Sequence, residues 1–286
     1  MQSGGVLRME KVGIVVNQKK KGAPELCEKL KTWLAKRDIP VQDSLSVSLD
    51  DLIESSTLLL CLGGDGTILS VVSRMKSRVV PILGVNFGKL GFLTEAKAEE
   101  VFEELNAYLL QKPAVENRLM LSCTAKSKKT DQDRRFIALN DIVISREGLA
   151  RILQLDVTIS GEKFTSFRGD GVVIASPTGS TAYSLSAGGA VVHPKLEAIL
   201  ITPICPHALN LRALVIGADE KITIRIRTEN PNEKALLTAD GQEKIEIDDS
   251  YSVEVTRFHM PLSLVKSTKR SYLQTLRENF KFPGFE

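Results

Sequence analysis

An apolar run that breaks into glycines is the feature that most constrains the fold of this chain. Leu58 to Leu62 is apolar throughout, Gly63-Gly64-Asp65-Gly66-Thr67 follows, and apolar residues resume at Ile68. This order predicts a buried strand, a tight turn and a helix. Glycines leave the backbone N–H groups accessible, and the first turn of a helix adds unpaired N–H groups and a positive dipole end. The turn is therefore predicted to bind a phosphate group.

Asp65 is the chemically informative residue of this turn. A carboxylate is a poor phosphate ligand, so its expected task is to hold a metal ion or to accept a proton from an attacking hydroxyl. The pentapeptide matches neither a Walker A loop nor the Gly-x-Gly-x-x-Gly pattern of dinucleotide-binding folds. An ordinary Asp-Gly turn between a strand and a helix explains the pentapeptide about as well. Phosphoryl transfer is the first hypothesis.

Composition limits the partners of the chain. Its 286 residues are 43% apolar and 26% charged, which is typical of a globular protein with two domains. The 38 basic and 35 acidic residues nearly cancel, so nucleic acid and membranes are not expected partners, and Lys19-Lys20-Lys21 is interpreted as a solvated loop. Met1 to Lys11 lacks the apolar core of a signal peptide, so we expect an intracellular, cytoplasmic protein.

The cysteines give no sign of a disulfide framework or a zinc site. The four of them lie far apart without a Cys-x-x-Cys pair, and Cys205 with His207 offers two ligands without a second pair. The sequence therefore assigns no metal ligands.

The first third of the chain alternates strand and helix patterns. Val12 to Val16 and Val79 to Val85 are short apolar runs, and Pro24 opens an amphipathic stretch between them. Buried strands separated by helices predict a parallel, Rossmann-like sheet. The connection from Asn86 to Leu93 carries two glycines and two aromatic residues at the carboxyl edge of that sheet, where ligands bind in open α/β folds.

After Pro113 the pattern changes to β-rich runs, which predict a second domain that is a β-sandwich. The tail from Leu262 to Phe285 regains helical spacing and is predicted to pack back onto the first domain. The predicted boundaries are 1–117 plus 262–286 for the α/β domain and 118–261 for the β domain. The predicted strands of the second domain are Leu119–Ala125, Phe136–Ser145, Leu153–Ile159, Gly171–Ala175, Lys221–Arg227, Ala235–Ala239 and Tyr251–Arg257.

A second group of polar residues lies within this β domain. Arg168-Gly169-Asp170-Gly171 leads into an apolar strand, and the segment from Ser176 to Gly189 is rich in small hydroxylated residues. Such residues suit close contact with a flat polar ligand such as a nucleoside. A flexible serine-rich loop is the plain alternative, but Pro177 and Tyr183 in a strand-to-helix context favour a binding site.

Five blocks in order along the chain resemble the NAD kinase family. Any one of them is weak evidence, whereas the ordered set is specific and extends over most of the chain. The blocks are Gly63–Thr67, Asn140-Asp141 within Leu139–Ile144, Gly169-Asp170-Gly171 with Pro177–Gly189, Thr202–His207, and Asp240-Gly241-Gln242.

The resemblance implies a function and a cofactor set. The implied reaction is ATP-dependent phosphorylation of the adenosine-ribose 2′-hydroxyl of NAD to give NADP, with an α/β domain and a β domain meeting around the site. Mg²⁺ or another divalent cation is the implied cofactor. The sequence leaves open whether inorganic polyphosphate replaces ATP, whether NADH is accepted and whether NADP regulates activity. The resemblance favours a homodimer or homotetramer.

The resemblance also implies roles for individual residues. Asp65 is the implied proton acceptor, and Asn140 with Asp141 is the implied dinucleotide-binding pair, although the family often carries glutamate where Asp141 stands. The resemblance further implies phosphate access at Gly63, Gly64, Gly66 and Thr67, and adenosine surroundings at Phe92, Thr181, Ala182, Tyr183 and Ser186. It implies the nicotinamide end at Asp170 and the reacting phosphates at Asp240, and it adds Arg168 as a substrate- or nucleotide-binding residue.

Other classes share the Gly-Gly-Asp-Gly signal. A diacylglycerol- or sphingosine-type lipid kinase and a phosphofructokinase-like sugar kinase also transfer phosphate. A non-catalytic sensor would bind NAD or NADP in the same pocket without transfer. The hydroxyl-rich segment suits a nucleoside better than an acyl chain, and product formation from NAD, ATP and Mg²⁺ separates an enzyme from a sensor.

Overall fold

A computed structural model describes residues 11–88, 91–111, 115–130, 132–146, 152–227 and 234–281. The chain divides into two compact units, Met1–Glu116 with Ser263–Glu286, and Asn117–Leu262. The helices are α1 Ala23–Ala35, α2 Leu49–Ser55, α3 Asp65–Val72, α4 Val101–Gln111, α5 Tyr183–Ser186 and α6 Tyr272–Phe280. The strands are β1 Val12–Val16, β2 Val41–Asp43, β3 Leu58–Leu62, β4 Ile82–Asn86, β5 Ala96–Lys97, β6 Val115–Arg118, β7 Leu121–Ser127, β8 Arg134–Ala138, β9 Asp141–Arg146, β10 Leu153–Ile159, β11 Glu162–Gly169, β12 Gly171–Ala175, β13 Ala198–Ile204, β14 Leu214–Gly217, β15 Ile222–Arg227, β16 Ala235–Ala239, β17 Glu243–Ile247, β18 Tyr251–Arg257 and β19 Leu262–Val265.

The sheet of the first unit has the strand order β2-β1-β3-β4-β19-β6, with β5 paired to β4. The pairings of β1 with β2 and β3, of β3 with β4, and of β4 with β5 and β19 are all parallel. β1, β3 and β4 are buried along their whole length, because helices cover both faces of the sheet. This arrangement brings the carboxyl ends of β1, β3 and β4 to one edge.

The helices of the first unit form because their apolar residues recur on one face. In α1, Ala23, Leu26, Cys27, Leu30 and Leu34 are buried, at the spacing that a helix needs to face a core. These residues pack with alternate residues of β1 and β3, among them Ile14 and Leu60. α1 begins after Gly22, which adopts the left-handed region with φ 87°, and Pro24 stands in its first turn, where a missing N–H is harmless.

The second unit contains two antiparallel six-stranded sheets. Their orders are β11-β10-β15-β18-β7-β8 and β14-β13-β12-β9-β16-β17. One core cluster contains residues of both sheets, for example Cys123 and Val255 from the first and Ile144 and Ile174 from the second. The two sheets therefore pack face to face, and the predicted fold class, a parallel α/β domain with a mostly antiparallel β domain, is confirmed.

The structure corrects two local predictions. Phe136 to Ser145 forms two strands, β8 and β9, with a break at Leu139 and Asn140. The predicted helical tail starts with a strand, β19, which pairs with β4, before α6 follows. Both corrections arise from pairing between distant parts of the chain, which a local apolar pattern does not encode.

No helix within the described residues combines the length and the apolar character that a membrane crossing requires.

We predict that Leu60→Ala lowers the free energy of unfolding of the first unit by about 2 to 5 kcal/mol, because the change leaves a cavity in a fully buried strand. Trp33, the single tryptophan, lies against the same core, so its fluorescence during urea unfolding reports on this unit. Leu110→Ala is the control: Leu110 is 73% exposed, and its replacement should change stability by less than about 0.5 kcal/mol. Equal effects of the two changes would contradict the assigned core.

Candidate functional site

The glycine-rich turn joins β3 to α3 at the carboxyl edge of the parallel sheet. Gly63 N donates to Val85 O of β4 at 2.9 Å, and Gly64 is the residue before the first helical residue, Asp65. Thr67 N donates back to Gly64 O at 2.9 Å, which closes the first turn of α3. The turn therefore lies where open α/β sheets bind ligands, and the first N–H groups of α3 point out of the helix.

The three glycines of the turn have different reasons to be glycine. A Cβ on Gly63 would lie 2.1 Å from Thr67 Oγ1, so packing excludes a side chain there. A Cβ on Gly64 or Gly66 would meet no heavy atom of the described residues within 4 Å, and neither residue has a positive φ. The fold itself does not require glycine at positions 64 and 66. The free space in front of them is suited to a ligand that approaches the backbone closely.

The Asp65 carboxylate is held by the loop that follows β4. Its Oδ2 accepts a hydrogen bond from Phe92 N at 2.8 Å, and its Oδ1 accepts from Leu93 N at 3.2 Å and from Thr94 N at 3.1 Å. Thr94 Oγ1 donates to Oδ1 as well, at 3.1 Å. Asp65 is thus fixed in orientation by three consecutive backbone N–H groups and one hydroxyl.

Thr94 organises this loop, and the sequence analysis missed it. It is 3% exposed, and its Oγ1 accepts from Asn86 Nδ2 at 3.0 Å and from Gly91 N at 3.1 Å while donating to Asp65. A Cβ on Gly91 would lie 2.1 Å from Asp65 Oδ1, so only glycine fits beside the carboxylate. The available signal was the polar residue Asn86 at a strand end, which marks the ligand edge of the sheet.

Asn17 is a second residue that the sequence analysis missed. It follows β1 directly, and its Nδ2 donates to Thr67 Oγ1 at 3.2 Å. Its backbone N donates to Leu62 O at 3.0 Å, so the end of β1 is tied to the glycine-rich turn. The predicted residues Gly63, Gly64, Asp65, Gly66, Thr67 and Phe92 all meet at this edge of the first unit.

Phe92 packs against the C-terminal helix of the same unit. Its ring centroid lies 6.4 Å from that of Tyr272 and 5.6 Å from that of Phe280. The resemblance implied a wall of the adenosine pocket at Phe92. The contacts described here are with α6, and they fix the same residue whose N–H group binds Asp65.

Asn140 and Asp141 lie at the break between β8 and β9 in the second unit, and the carboxylate of Asp240 holds that break. Asp240 Oδ1 accepts from Asn140 N at 2.8 Å and from Asp141 N at 2.9 Å, and Oδ2 accepts from Leu139 N at 2.7 Å. Asp240 and Gly241 adopt left-handed backbone, φ 51° and 64°, in the tight turn that joins β16 to β17. Asp240 is 8% exposed, so its main visible task is to shape the turn that carries Asn140 and Asp141.

Burial governs the protonation of this pair of carboxyls. Burial raises the pKa of Asp141 to about 7, the nearby Asp240 charge adds to the rise, and the Tyr183 N–H group offsets part of it. Burial also raises the pKa of Asp240 to about 6, against the lowering effect of the three N–H groups of residues 139–141. Two acidic side chains in one apolar setting therefore bind protons near neutral pH.

The hydroxyl-rich segment after β12 separates into a buried set and an accessible set. Ser176, Ser180 and Ser184 are buried and bonded within the unit: Ser176 Oγ donates to Leu139 O, Ser180 Oγ donates to Pro177 O, and Ser184 Oγ pairs with Thr202 Oγ1. A Cβ on Gly179 would lie 2.0 Å from Asn140 O, so this segment packs directly on the Asn140 turn.

The accessible set contains the residues predicted to contact the dinucleotide. Tyr183 is 45% exposed and Ser186 is exposed, while Thr181 and Ala182 are half-buried. The buried hydroxyls therefore build the segment, and Thr181, Ala182, Tyr183 and Ser186 remain able to meet a ligand. Their roles stay predictions.

Arg168 and Asp170 lie at the junction of β11 and β12. Arg168 is exposed, and its carbonyl oxygen accepts from His207 N at 2.8 Å. The Asp170 carboxylate pairs with Arg146 Nε at 2.9 Å, and each side chain is about one-third exposed. Arg146 is a further residue that sequence reasoning missed, because nothing in the local pattern links it to Asp170.

One group of potential metal ligands occurs among the described residues. Ligand atoms of Cys27, Glu28 and Asp43 lie within 4.8 Å of one another. Lys31 Nζ lies 2.9 Å from a carboxylate oxygen of Glu28 and 2.9 Å from one of Asp43. The ammonium group is thus the cation that this cluster holds.

Comparisons with known proteins agree with this architecture. The pattern described as the ATP-NAD kinase N-terminal domain matches residues 43–112, and that of the ATP-NAD kinase C-terminal domain matches residues 139–267. A NAD kinase of Geotalea daltonii is 37% identical over 284 residues, which cover 96% of this chain and 99% of the relative. A NAD kinase of Geobacter sulfurreducens is 40% identical over 233 residues, which cover 82% of this chain and 81% of the relative.

Two solved structures share the fold. Yeast NADH kinase complexed with NADH has a TM-score of 0.86 and 26% identity, and the match covers 98% of this chain and 90% of that one. A NAD kinase from Archaeoglobus fulgidus in complex with ATP has a TM-score of 0.76 and 27% identity, covering 94% and 97%. The class defined by these matches is that of the kinases. The chain belongs to the ATP-NAD kinase family, and the resemblance found in the five sequence blocks is confirmed.

We predict that Asp141→Asn stabilises the ligand-free protein increasingly as pH rises. The folded-state pKa of Asp141 is about 7, above its ordinary value of 3.8. The folded state therefore favours the protonated form, and this contribution to stability is complete below pH 3.8. It is lost as pH rises through about 7, where the buried carboxyl ionises. Asparagine carries no charge and still accepts from the Tyr183 N–H group. The difference in Tm between variant and parent should therefore grow between pH 5 and pH 8, by roughly 3 °C or more.

Asp219→Asn is the control for this experiment, since the side chain of Asp219 is 94% exposed in the same unit. The difference in Tm between this variant and the parent should not change with pH. If the difference in Tm between Asp141→Asn and the parent were also independent of pH, the pKa of Asp141 would not be raised.

Proposed function

We propose that this chain transfers the γ-phosphoryl group of ATP to the adenosine-ribose 2′-hydroxyl of NAD, giving NADP and ADP. The observation that carries the proposal is the Asp65 carboxylate, fixed by three backbone N–H groups at the N-terminus of α3 in a chain of the ATP-NAD kinase family. The relatives named NAD kinase support the acceptor, and the Archaeoglobus fulgidus enzyme in complex with ATP supports the donor.

The phosphate end is assigned to the glycine-rich turn. Gly64 and Gly66 leave open space in front of the first N–H groups of α3, and the helix dipole favours negative charge there. Thr67, bonded to Asn17, keeps the turn closed behind these groups. Phosphate oxygens can therefore approach the backbone without displacing a side chain.

Asp65 is assigned as the general base, and its two oxygens differ in what they can do. Oδ1 accepts three hydrogen bonds from the described residues, whereas Oδ2 accepts one, from Phe92 N. Oδ2 therefore keeps a lone pair for the proton of the ribose hydroxyl. A bond forms between the 2′-oxygen and the γ-phosphorus, the bond from that phosphorus to the β,γ-bridging oxygen breaks, and the hydroxyl proton passes to Oδ2.

The dinucleotide end is assigned to the second unit. Asn140 and Asp141 are held by Asp240, and Thr181, Ala182, Tyr183 and Ser186 offer accessible polar and aromatic groups beside them. Asp170 and Arg168 are assigned to the nicotinamide end. The yeast NADH kinase complexed with NADH supports a dinucleotide site on this fold.

A divalent cation, expected to be Mg²⁺, completes the proposal. Mg²⁺ usually keeps several waters and binds substrate phosphates, and the open space in front of Gly64 and Gly66 leaves room for a hydrated ion on those phosphates. When bound, the ion neutralises charge on the phosphates. We further propose a homodimer or homotetramer, which rests on the family resemblance.

The proposal predicts opposite effects of Gly66→Ala on stability and on ATP binding. Alanine fits the open space and suits a helix, so stability should stay equal or rise by up to about 1 kcal/mol. The added methyl group intrudes where phosphate approaches, so ATP should bind about 10-fold more weakly, a change of about 1.4 kcal/mol. Calorimetric titration with ATP and urea unfolding followed by Trp33 measure the two effects.

Gly217→Ala is the matched control, since its Cβ would also meet no heavy atom of the described residues within 4 Å, but in the second unit. It should leave ATP binding unchanged. Unaltered ATP binding by the Gly66→Ala protein would remove the turn from the phosphate site.

The base assignment predicts that Asp65→Asn loses turnover while retaining the fold. Removing a positioned base typically costs on the order of 10² to 10⁴ in rate. Asparagine Oδ1 still accepts from the N–H groups of Leu93 and Thr94. The bond from Phe92 N is lost, because the amide NH₂ that replaces Oδ2 is itself a donor. The assay combines NAD, ATP and Mg²⁺, detects NADP with an NADP-specific dehydrogenase, and locates the new phosphate by ³¹P NMR.

Asp50→Asn makes the same chemical change at an exposed carboxylate that pairs with Arg74, and it should keep full activity. Parent-like turnover of the Asp65→Asn protein would rule out Asp65 as the base. Binding of NAD by the parent without any NADP would instead indicate a sensor.

A further inference from the structure

The loop that holds Asp65 is itself held by the C-terminal part of the first unit. This loop, residues 91–95 (the Asp65-holding loop), gives Asp65 its three N–H donors and ends at Glu95. The segment from Lys266 to Phe280 (the C-terminal segment) contacts the loop at both of its ends. No residue of the C-terminal segment has a role in the assignments above.

The first contact is a buried ion pair at Glu95. Lys266 Nζ donates to Glu95 Oε1, and both side chains are largely buried, at 17% and 9% exposure. Glu95 N in turn donates to Gly84 O of β4 at 3.1 Å. An ion pair with so little access to water is sensitive to small displacements of either partner, because a lone buried charge is costly. Lys266 therefore fixes the end of the loop that follows Thr94.

The second contact is aromatic and lies at Phe92. The rings of Tyr272 and Phe280, eight residues apart on α6, both pack against the Phe92 ring. Phe92 N is the donor to Asp65 Oδ2, the oxygen assigned to accept the ribose proton. α6 thus fixes the position of the residue nearest the reactive oxygen.

The C-terminal segment is firmly anchored before it reaches Phe92. Glu104 of α4 is 2% exposed and accepts from Ser267 Oγ at 2.7 Å and from Thr268 N at 3.1 Å. Arg270 makes a bidentate pair with Glu100, with both N···O distances 2.8 Å, and these bonds lower the pKa of Glu100 to about 2. Five consecutive residues, 266–270, are therefore held to Glu95, to Glu100 and to Glu103 and Glu104 of α4.

α6 contributes little to the core in comparison. Among its described residues, 272–280, none is buried, although a capping box of Ser271 and Gln274 defines where the helix begins. α6 is anchored at its start, and two of its rings pack on Phe92, but none of its described residues is buried. Such a helix affects the residue that it contacts more than it affects global stability.

We propose that the C-terminal segment is a positioning element for Asp65, with Phe280 and Tyr272 setting the place of Phe92 and Lys266 setting the place of Glu95. None of these residues touches substrate in the proposal. They act by holding the Asp65-holding loop, so that the carboxylate stays aligned with the ribose hydroxyl. The kinetic part of this inference rests on the proposed function, whereas the structural part does not.

Phe280→Ala tests the proposal with two independent readouts. Hydrogen exchange, measured by mass spectrometry on peptides that contain residues 92–94, reports whether the N–H groups stay bound to Asp65. Steady-state kinetics with NAD and ATP separate kcat from KM. We expect exchange at 92–94 to accelerate about 10-fold or more, and kcat to fall roughly 10- to 100-fold with KM values within about 2-fold of the parent, because a displaced base slows the chemical step alone.

Two further variants separate positioning from general damage. Phe280→Leu keeps an apolar side chain against Phe92 and should restore most of kcat and of the exchange protection. Leu273 lies on the same helix and is 61% exposed. The Leu273→Ala protein should therefore match the parent in both readouts. Asp65→Asn should accelerate exchange at Phe92, since it removes the acceptor of that N–H group.

Unchanged exchange at 92–94 in the Phe280→Ala protein would overturn the proposal, as would a rise in KM with kcat retained. Absence of NADP formation by the parent would defeat the proposed function alone, because the exchange comparison would still decide whether the C-terminal segment positions the loop.

Discussion

The hydrogen bonds between the Asp65 carboxylate and the loop after β4 are the constraint on which the first unit's site depends. They join segments 27 to 29 residues apart and determine the surroundings of the carboxylate. Gly91 must be glycine because its Cβ would overlap Asp65, and Thr94 is buried because its hydroxyl bridges Asp65 and Asn86. A carboxylate that accepts N–H donors on both oxygens keeps one orientation, and such preorganisation is what a general base requires.

The second unit has the same arrangement, a carboxylate bonded to three consecutive backbone N–H groups, but at a greater separation in sequence. Asp240 accepts the N–H groups of residues 139–141, which lie 99 to 101 residues earlier in the chain. In each unit, therefore, an aspartate accepts hydrogen bonds from three consecutive backbone N–H groups of a distant segment. The difference lies in environment: Asp240 is nearly buried, whereas Asp65 is partly accessible at the open end of α3. This difference supports a structural task for Asp240 and a chemical one for Asp65.

Patterns of apolar residues predicted those strands, turns and helices that are determined by neighbouring residues. The apolar run before Gly63 predicted β3, the turn and α3, and the β-rich runs after Pro113 predicted the second unit, because both signals lie within a few residues. The break at Leu139 and Asn140 was not predicted, since its cause is the distant Asp240 carboxylate. For the same reason the hydroxyl-rich segment was read as one binding surface, although burial of Ser176, Ser180 and Ser184 depends on contacts with Leu139, Val192 and Thr202.

The central claim is that Asp65 Oδ2 accepts the proton of the adenosine-ribose 2′-hydroxyl. A crystal structure of the parent with NAD, Mg²⁺ and a non-hydrolysable ATP analogue tests it most directly. The account predicts Oδ2 within about 3 Å of the 2′-oxygen while Oδ1 keeps its bonds to Leu93 and Thr94. A bound ribose whose 2′-hydroxyl is remote from Asp65, with another side chain in hydrogen-bond contact with it, would contradict the account.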